Sequence, residues 1–143
     1  RQDHLQRVEE VVTFYKARTK IPIWIFGHSM GTSTATNFVN ESPQLAKLLS
    51  GIIVAGTVRT AELSDDVTLP VMAIHHREDA CGGSPISASR KLIEGRREGL
   101  VSRIEIIDGG VSEGNICESF AYHGFNQTEP EFIKRAAQFI LSH

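Results

Sequence analysis

The sequence predicts an α/β fold, in which helices cover both faces of a parallel β-sheet. Strand-like apolar runs alternate with helical patterns along the chain, the order typical of parallel strands joined by crossover helices. The run from Lys20 to Phe26 is apolar on both faces, as expected for a covered strand. It leads directly into the pentapeptide GHSMG at residues 27–31, which a helical pattern follows. Strand, tight turn and helix in this order predict a nucleophile elbow with serine at its apex.

Length and composition restrict the choice further. The 143 residues are enough for one domain with a hydrophobic core, and we find no internal repeat or domain boundary, so residues 1–143 are expected to form a single domain. The net charge of −2 gives no electrostatic reason to expect a nucleic-acid partner. No apolar run approaches the roughly 20 residues that cross a bilayer, so no membrane span is predicted.

The front half of the chain contains three predicted helices and two predicted strands. The first helix places apolar residues on one stripe of a 3.6-residue period, and the helix after the elbow turns Ala35, Phe38 and Val39 inward. The stripe consists of Leu5, Val8, Val11, Val12 and Tyr15. The predicted elements are helix Asp3–Arg18, strand Lys20–Phe26, helix Thr32–Asn40, helix Gln44–Leu49 and strand Ile52–Gly56.

The back half continues the alternation. Residues 57–69 form a polar connection too short for a lid domain. The last helix begins at Thr128 with a capping-box pattern that ends at Glu131, and its predicted buried residues are Phe132, Ile133, Ala136, Phe139 and Ile140. The predicted elements are strand Val71–His75, helix Ser87–Glu98, strand Arg103–Ile107 and this last helix.

The residues around Ser29 fit the chemistry of an elbow. We expect a side-chain Cβ at Gly27 or Gly31 to clash where the strand and helix backbones approach each other. The first N–H groups of a helix lack partners within the helix and can stabilise a developing oxyanion. The N–H of Met30 is the nearest such donor.

A serine nucleophile needs a base, and the base needs an orienting carboxylate. Along an elbow fold these residues follow in the order Ser, acid, His, in loops after later strands. Asp79 follows the third strand and is the predicted acid, with Glu78 as its rival. Three other carboxylates are disfavoured because they precede that strand or leave no later strand loop for the histidine: Asp65, Asp66 and Asp108.

The base is selected from six histidines. Only His123 lies in the loop between the last strand and the last helix, so it is the predicted base. The others lie in the first helix, inside the elbow, before the acid or at the terminus: His4, His28, His75, His76 and His143.

The elbow followed by Asp79 and then His123 resembles the α/β-hydrolase superfamily. The segments HHREDAC (residues 75–81) and CESFAYHGFN (residues 117–126) also resemble small, mostly uncharacterised bacterial members of that superfamily. The resemblance implies that Ser29 is the nucleophile, His123 the general base and acid, Asp79 its orienter, and the Met30 N–H one oxyanion donor.

The chain departs from this family at its front. The family sheet usually has eight strands, with a second oxyanion donor in a loop after the third, whereas this sequence contains what look like the last four. The strand ending at Phe26 would then be an apolar edge, which soluble proteins avoid exposing. We therefore expect an amino-terminally incomplete hydrolase domain that self-associates through this edge. A reduced fold, covered by its first helix or a partner chain, is the alternative.

The cysteines lie near the predicted acid and base. If the two loops meet over the site, Cys81 and Cys117 can meet too, and a disulfide closing this stretch would contribute on the order of 3–4 kcal/mol through loop entropy; two separate thiols are the alternative. A disulfide would favour a periplasmic or secreted protein, and free thiols a cytoplasmic one. No zinc site, other metal site or cofactor is predicted, because the cysteines lack histidines at ligand spacing.

Three functions remain open at this point. The first is a serine hydrolase that cleaves small-molecule carboxylic esters. The second is a peptidase or thioesterase with the same three residues. The third is a non-catalytic fragment or interaction module that keeps the fold, since fold alone does not determine function.

Overall fold

The computed structural model describes residues 2–143, and its elements follow the predicted alternation of strands and helices. The connection at 57–69 contains no regular element. The elements are α1 (Gln2–Arg18), β1 (Trp24–His28), α2 (Met30–Glu41), α3 (Pro43–Leu48), β2 (Gly51–Ala55), β3 (Val71–His76), α4 (Ile86–Glu94), β4 (Ser102–Ile107), a 3₁₀ turn (Tyr122–Gly124) and α5 (Glu129–Ser142).

The four strands form one parallel sheet in the order β1-β2-β3-β4. Both central strands, β2 and β3, are buried along their whole length, as near-continuous apolar runs predict. Apolar clusters lie on both faces of the sheet. One contains residues of α1 to α4, and the other is built around Phe125 and Phe139 beneath α5. The predicted α/β class, with helices on both faces, is confirmed.

The outer edge of β1 is open among the described residues. β1 pairs with β2 in the register Trp24↔Gly51, and no described strand lies on its other side. The Phe26 side chain is 54% exposed, and the buried Trp24 Nε1 has no hydrogen-bond partner. The strand also starts at Trp24 rather than at the predicted Lys20, since Ile21 is exposed and Pro22 has no N–H to give to a ladder.

Two predicted apolar stripes are wrong in part. On α1, Leu5 and Val12 are buried, but Val11 and Tyr15 are exposed because this helix packs against α3 and not flat on the sheet. On α5, Phe139 is buried, while Phe132 and Ala136 pack partly against the same cluster. Two further residues of α5 that were predicted to be buried are exposed, Ile133 and Ile140.

One predicted helix end and one predicted helix cap are also wrong. α4 ends at Glu94 rather than Glu98, with Gly95 as its cap, and the Arg96 guanidinium turns back to donate to the carbonyls of Val67 and Leu69. The capping box of α5 does not form. The Thr128 hydroxyl donates to the Phe125 carbonyl, and Glu131 pairs with Arg135.

Candidate active site

Ser29 occupies a strained turn between β1 and α2. Its φ of 55° and ψ of −122° lie in a region that favours glycine, at a cost of order 1–3 kcal/mol. The Ser29 N–H donates to the Ala55 carbonyl at 2.9 Å, and the Ser29 carbonyl accepts from the Thr32 N–H at 2.8 Å. These bonds fix the elbow to β2 on one side and to α2 on the other, so the surrounding structure maintains the strain.

The two glycines of the elbow differ in what they allow. A Cβ at Gly27 would overlap the Gly31 carbonyl oxygen and contact Ala35, so this position requires glycine. A Cβ built at Gly31 meets nothing within 4 Å, and the predicted clash there is wrong. The close approach is between the Gly31 backbone and the Cα of Gly27, so only Gly27 must lack a side chain.

Three predicted side chains meet above the carboxyl ends of the strands. The Ser29 hydroxyl lies 2.9 Å from His123 Nε2, and His123 Nδ1 lies 2.8 Å from Asp79 Oδ2. A carboxylate can only accept, so Nδ1 carries the hydrogen, and in the neutral ring Nε2 accepts the Ser29 proton. Ser29 follows β1, Asp79 follows β3 and His123 lies in the loop after β4. Their catalytic roles remain a prediction.

The competing carboxylates lie elsewhere. The Glu78 side chain is exposed, and its N–H donates to His76 Nδ1. Asp108 pairs with Arg77 at 2.6 Å on the surface, and both Asp65 and Asp66 are exposed before β3. Asp79 is therefore the carboxylate that the fold brings to His123.

The electrostatics of the site favour an ionised acid. Burial opposes ionisation of the Asp79 carboxyl, but hydrogen bonds from His123, His75 and the Cys81 N–H outweigh it and hold its pKa well below the ordinary value of 3.8. Burial lowers the pKa of His28, partly offset by the bond from its Nε2–H to the His123 carbonyl. A neutral His28 retains that bond, so the carbonyl beside the base keeps its donor.

Met30 is the first residue of α2, and its N–H has no acceptor within the helix. Its side chain is 71% exposed. The N–H therefore lies beside Ser29 on an accessible surface, although its role as an oxyanion donor remains a prediction. Within residues 2–143, no three His, Cys, Asp or Glu side chains converge as metal ligands.

Sequence reasoning treated three histidines only as rejected bases, but all three support the site. His28 donates to the His123 carbonyl at 2.9 Å. His76 stacks on Tyr122 at 4.4 Å and donates to the Gly109 carbonyl. His75 lies 3.3 Å from Asp79. The available signal was a His-His pair closing a fully buried strand, because buried imidazoles need partners.

A disulfide joins Cys81 to Cys117, so the open alternative of two separate thiols is wrong. Cys81 lies two residues after Asp79, and Cys117 six residues before His123. The Cys81 N–H also donates to Asp79 Oδ1 at 2.9 Å. The disulfide therefore links the loop that carries Asp79 to the loop that carries His123.

One cavity of the structure lies away from Ser29. A cavity of about 490 Å³ lies between the 57–69 connection and α4, and its lining includes Arg59 and Leu92 but none of Ser29, Asp79 and His123. Within residues 2–143, no helix is both long and apolar enough to cross a membrane.

Comparison with known proteins identifies the fold. No protein-family model matches the sequence, and no curated protein matches it. Among solved structures, a monoacylglycerol lipase from Paleococcus ferrophilus aligns over 97% of this chain and 76% of its own, with a TM-score of 0.60 and 12% identity. The esterase domain of a Rhodothermus marinus protein aligns over 74% of this chain, with a TM-score of 0.53 and 14% identity.

The chain thus has the α/β-hydrolase fold, in part. It spans 57% of the length of the matched esterase domain. At these identities the likeness concerns the path of the backbone and does not extend to individual side chains.

Proposed function

We propose that this chain is the core of a serine hydrolase that cleaves carboxylic esters through an acyl-enzyme on Ser29. One observation carries the proposal. A serine in a strained elbow, a buried histidine and a buried carboxylate form a continuous hydrogen-bonded series with distances of 2.9 and 2.8 Å. They come from three loops up to 94 residues apart in sequence. The hydroxyl donates to Nε2 of the histidine, and the carboxylate accepts from Nδ1, as a serine nucleophile with its base and acid requires.

The proposed acylation step uses all three side chains. His123 Nε2 takes the hydroxyl proton as Ser29 Oγ attacks the ester carbonyl carbon, and Asp79 stabilises the resulting imidazolium through Nδ1–H. The Met30 N–H donates to the oxyanion. The tetrahedral intermediate then collapses and the C=O bond re-forms. The bond between the acyl carbon and the alcohol oxygen breaks, and the leaving alcohol takes the proton from Nε2.

Deacylation follows the same steps, with water as the nucleophile. His123 removes a proton from water as the water oxygen attacks the acyl carbon. The acyl C–O bond to Ser29 then breaks, and His123 returns the proton to Ser29 Oγ. A carboxylic acid leaves, and no cofactor is needed.

The neighbours support the ester class, since one is an esterase domain and the other a monoacylglycerol lipase. The same three residues also serve peptidases and thioesterases, and these stay as alternatives together with a non-catalytic module. Substrate preference separates them. Comparison of kcat/KM for a nitrophenyl ester, a thioester and an amide of the same acyl group should favour the ester.

Covalent labelling tests the nucleophile. A fluorophosphonate should label the protein at Ser29, and Ser29→Ala should abolish labelling while leaving the fold intact. Ser33→Ala, a serine one helical turn further along α2, is the matched control and should label normally. His123→Ala should lower kcat by about 10⁴–10⁶-fold. Absence of labelling in the wild type, or full activity in either Ser29→Ala or His123→Ala, would refute the proposal.

A further inference from the structure

We propose that His75 is a positioning residue for this hydrolysis. Its Nε2–H holds the Asp79 carboxylate in the orientation that serves His123. The inference rests on the proposed function, because it concerns how Asp79 acts on the base. His75 does not touch Ser29 and would act only through Asp79.

The contacts of the His75 ring determine which of its nitrogens carries a hydrogen. His75 lies near the carboxyl end of β3 and is fully buried, with 0% exposure. Its Nε2 lies 2.9 Å from the Ser84 carbonyl oxygen and 3.3 Å from Asp79 Oδ2. Both of these oxygens only accept hydrogen bonds, so Nε2 must carry a hydrogen. That hydrogen is donated to the Ser84 carbonyl, and Asp79 Oδ2 lies beside it as a longer electrostatic contact.

The His75 ring is held in place and cannot turn away from Asp79. His75 Nδ1 lies 2.8 Å from Ser89 Oγ, which lies 2.7 Å from Thr57 Oγ1. Ser84 Oγ donates to the Gly56 carbonyl at 2.6 Å. A flipped ring would place carbon atoms against these groups and leave buried polar atoms unpaired, which costs free energy. α4 and the loop after β2 therefore fix the direction of Nε2–H.

Asp79 would lose one of its few polar contacts without His75. The carboxylate is 1% exposed, so its partners are protein groups rather than bulk water. Oδ1 accepts from the Cys81 N–H at 2.9 Å, and Oδ2 accepts from His123 Nδ1 at 2.8 Å and lies 3.3 Å from His75 Nε2. Removing His75 leaves Oδ2 with only the base that Asp79 should orient, so the Cys81 N–H on Oδ1 alone then resists rotation of the carboxylate about its Cβ–Cγ bond.

The alternative is a histidine that only satisfies its own buried polar atoms. Two substitutions separate the alternatives, because each keeps a different half of the ring's contacts. His75→Gln places an amide N–H near the position of Nε2, within reach of Asp79. His75→Asn keeps a polar group near Nδ1 and Ser89 but cannot reach the carboxylate. A merely structural histidine would show similar losses in both variants.

The expected result is asymmetric. His75→Asn should lower kcat by about 10- to 100-fold with KM unchanged, as for the loss of one hydrogen bond to a charged group. His75→Gln should recover most of that loss. In an Asp79→Asn background, His75→Asn should lower kcat less than about twofold further, because residues acting through one another are not additive. Leu92→Ala, in α4 on the same face of the sheet, is the stability control and should leave kcat unchanged.

A second readout does not depend on turnover. The His123 Nδ1–H proton, bonded to Asp79, should give a low-field ¹H resonance that Asp79→Asn shifts or removes. His75→Asn should also shift it, and His75→Gln should restore it. Equal kcat in both His75 variants, a fully multiplicative loss in the Asp79→Asn background, or an unshifted resonance in His75→Asn would overturn the inference. If the wild type hydrolyses no ester, the proposed function fails, and the resonance alone decides the role of His75.

Discussion

The carboxyl ends of the strands and the outer edge of β1 lie in the same sheet, yet they are built in opposite ways. At the strand ends, polar side chains are buried and every one has a partner, including Asp79, His75 and His123. Along the β1 edge, large apolar groups face solvent instead. Phe26 is exposed, and the buried Trp24 Nε1 has no partner in the described structure.

The difference shows what determines each region. The buried polar side chains find their hydrogen-bond partners within this chain, so the chain itself fixes their geometry. The β1 edge presents unpaired backbone groups beside apolar side chains, the arrangement that pairs with another strand. We propose that a second copy of this chain pairs with β1 along this edge.

The largest expected effect tests the polar end. Asp79→Asn should lower kcat by about 10³–10⁴-fold, because the amide cannot stabilise the imidazolium and presents a donor towards Nδ1–H. Glu78→Gln, one residue earlier and exposed, is the matched control and should remain within about twofold of wild type. Steady-state kinetics on a nitrophenyl ester measures both. A larger loss in Glu78→Gln would show that the acid is misassigned by one residue.

The elbow glycines provide the next test, through stability. Gly27→Ala should lower the free energy of unfolding by about 3 kcal/mol or more, since the new Cβ overlaps backbone that cannot move aside. Gly31→Ala should be neutral or stabilise the protein by up to about 1 kcal/mol, because alanine is the better helix former and the space is open. Denaturant unfolding of the two variants measures the contrast. Equal destabilisation would contradict the asymmetry.

The open edge predicts self-association of the 143-residue chain. Phe26→Lys should lower the association constant by about tenfold, roughly 1.4 kcal/mol, because a charge on an edge strand opposes pairing. Phe120→Lys changes another exposed aromatic residue, in the loop before α5, and should have little effect. Sedimentation velocity distinguishes them. A monomeric wild-type chain would contradict self-association through the β1 edge.

The smallest effect concerns acid stability. The pKa of Asp79 is lower in the folded state than its ordinary value of 3.8, so ionised Asp79 stabilises the fold above about pH 4. That contribution is lost as the pH falls from there towards the folded-state pKa. Wild type should therefore lose stability more steeply than Asp79→Asn between about pH 5 and pH 2. Parallel pH profiles would mean that Asp79 is not stabilised as an anion.

Features governed by local sequence were predicted well. The alternation of elements, the elbow and the chain order of Ser29, Asp79 and His123 follow from short patterns, and the parallel sheet follows from the alternation. The burial of α1 and α5 was predicted less well. Periodicity identifies an apolar stripe but not how much surface a neighbour covers, so Val11, Tyr15, Ile133 and Ile140 were assigned to a core that the described structure does not extend over them.

The support for the site was predicted least. The contacts of His28 and His75 depend on distant carbonyls and hydroxyls that only the tertiary fold brings near. A Cβ at Gly27 would clash with the Gly31 backbone, but a Cβ at Gly31 would meet nothing. The pattern of two glycines around the serine does not show which of the two must lack a side chain. Such features depend on tertiary geometry that short sequence patterns do not encode.

The link between Cys81 and Cys117 also changes the contact order of the site. Along the chain, Asp79 and His123 are 44 residues apart. Through the disulfide, the covalent path from Asp79 to His123 runs two residues to Cys81 and then six residues from Cys117. Once oxidised, the chain brings acid and base together as a nearly local contact, which saves about 1–2 kcal/mol of loop-closure entropy. The docking of Ser29 from 94 residues away then remains as the long-range event in assembling the site.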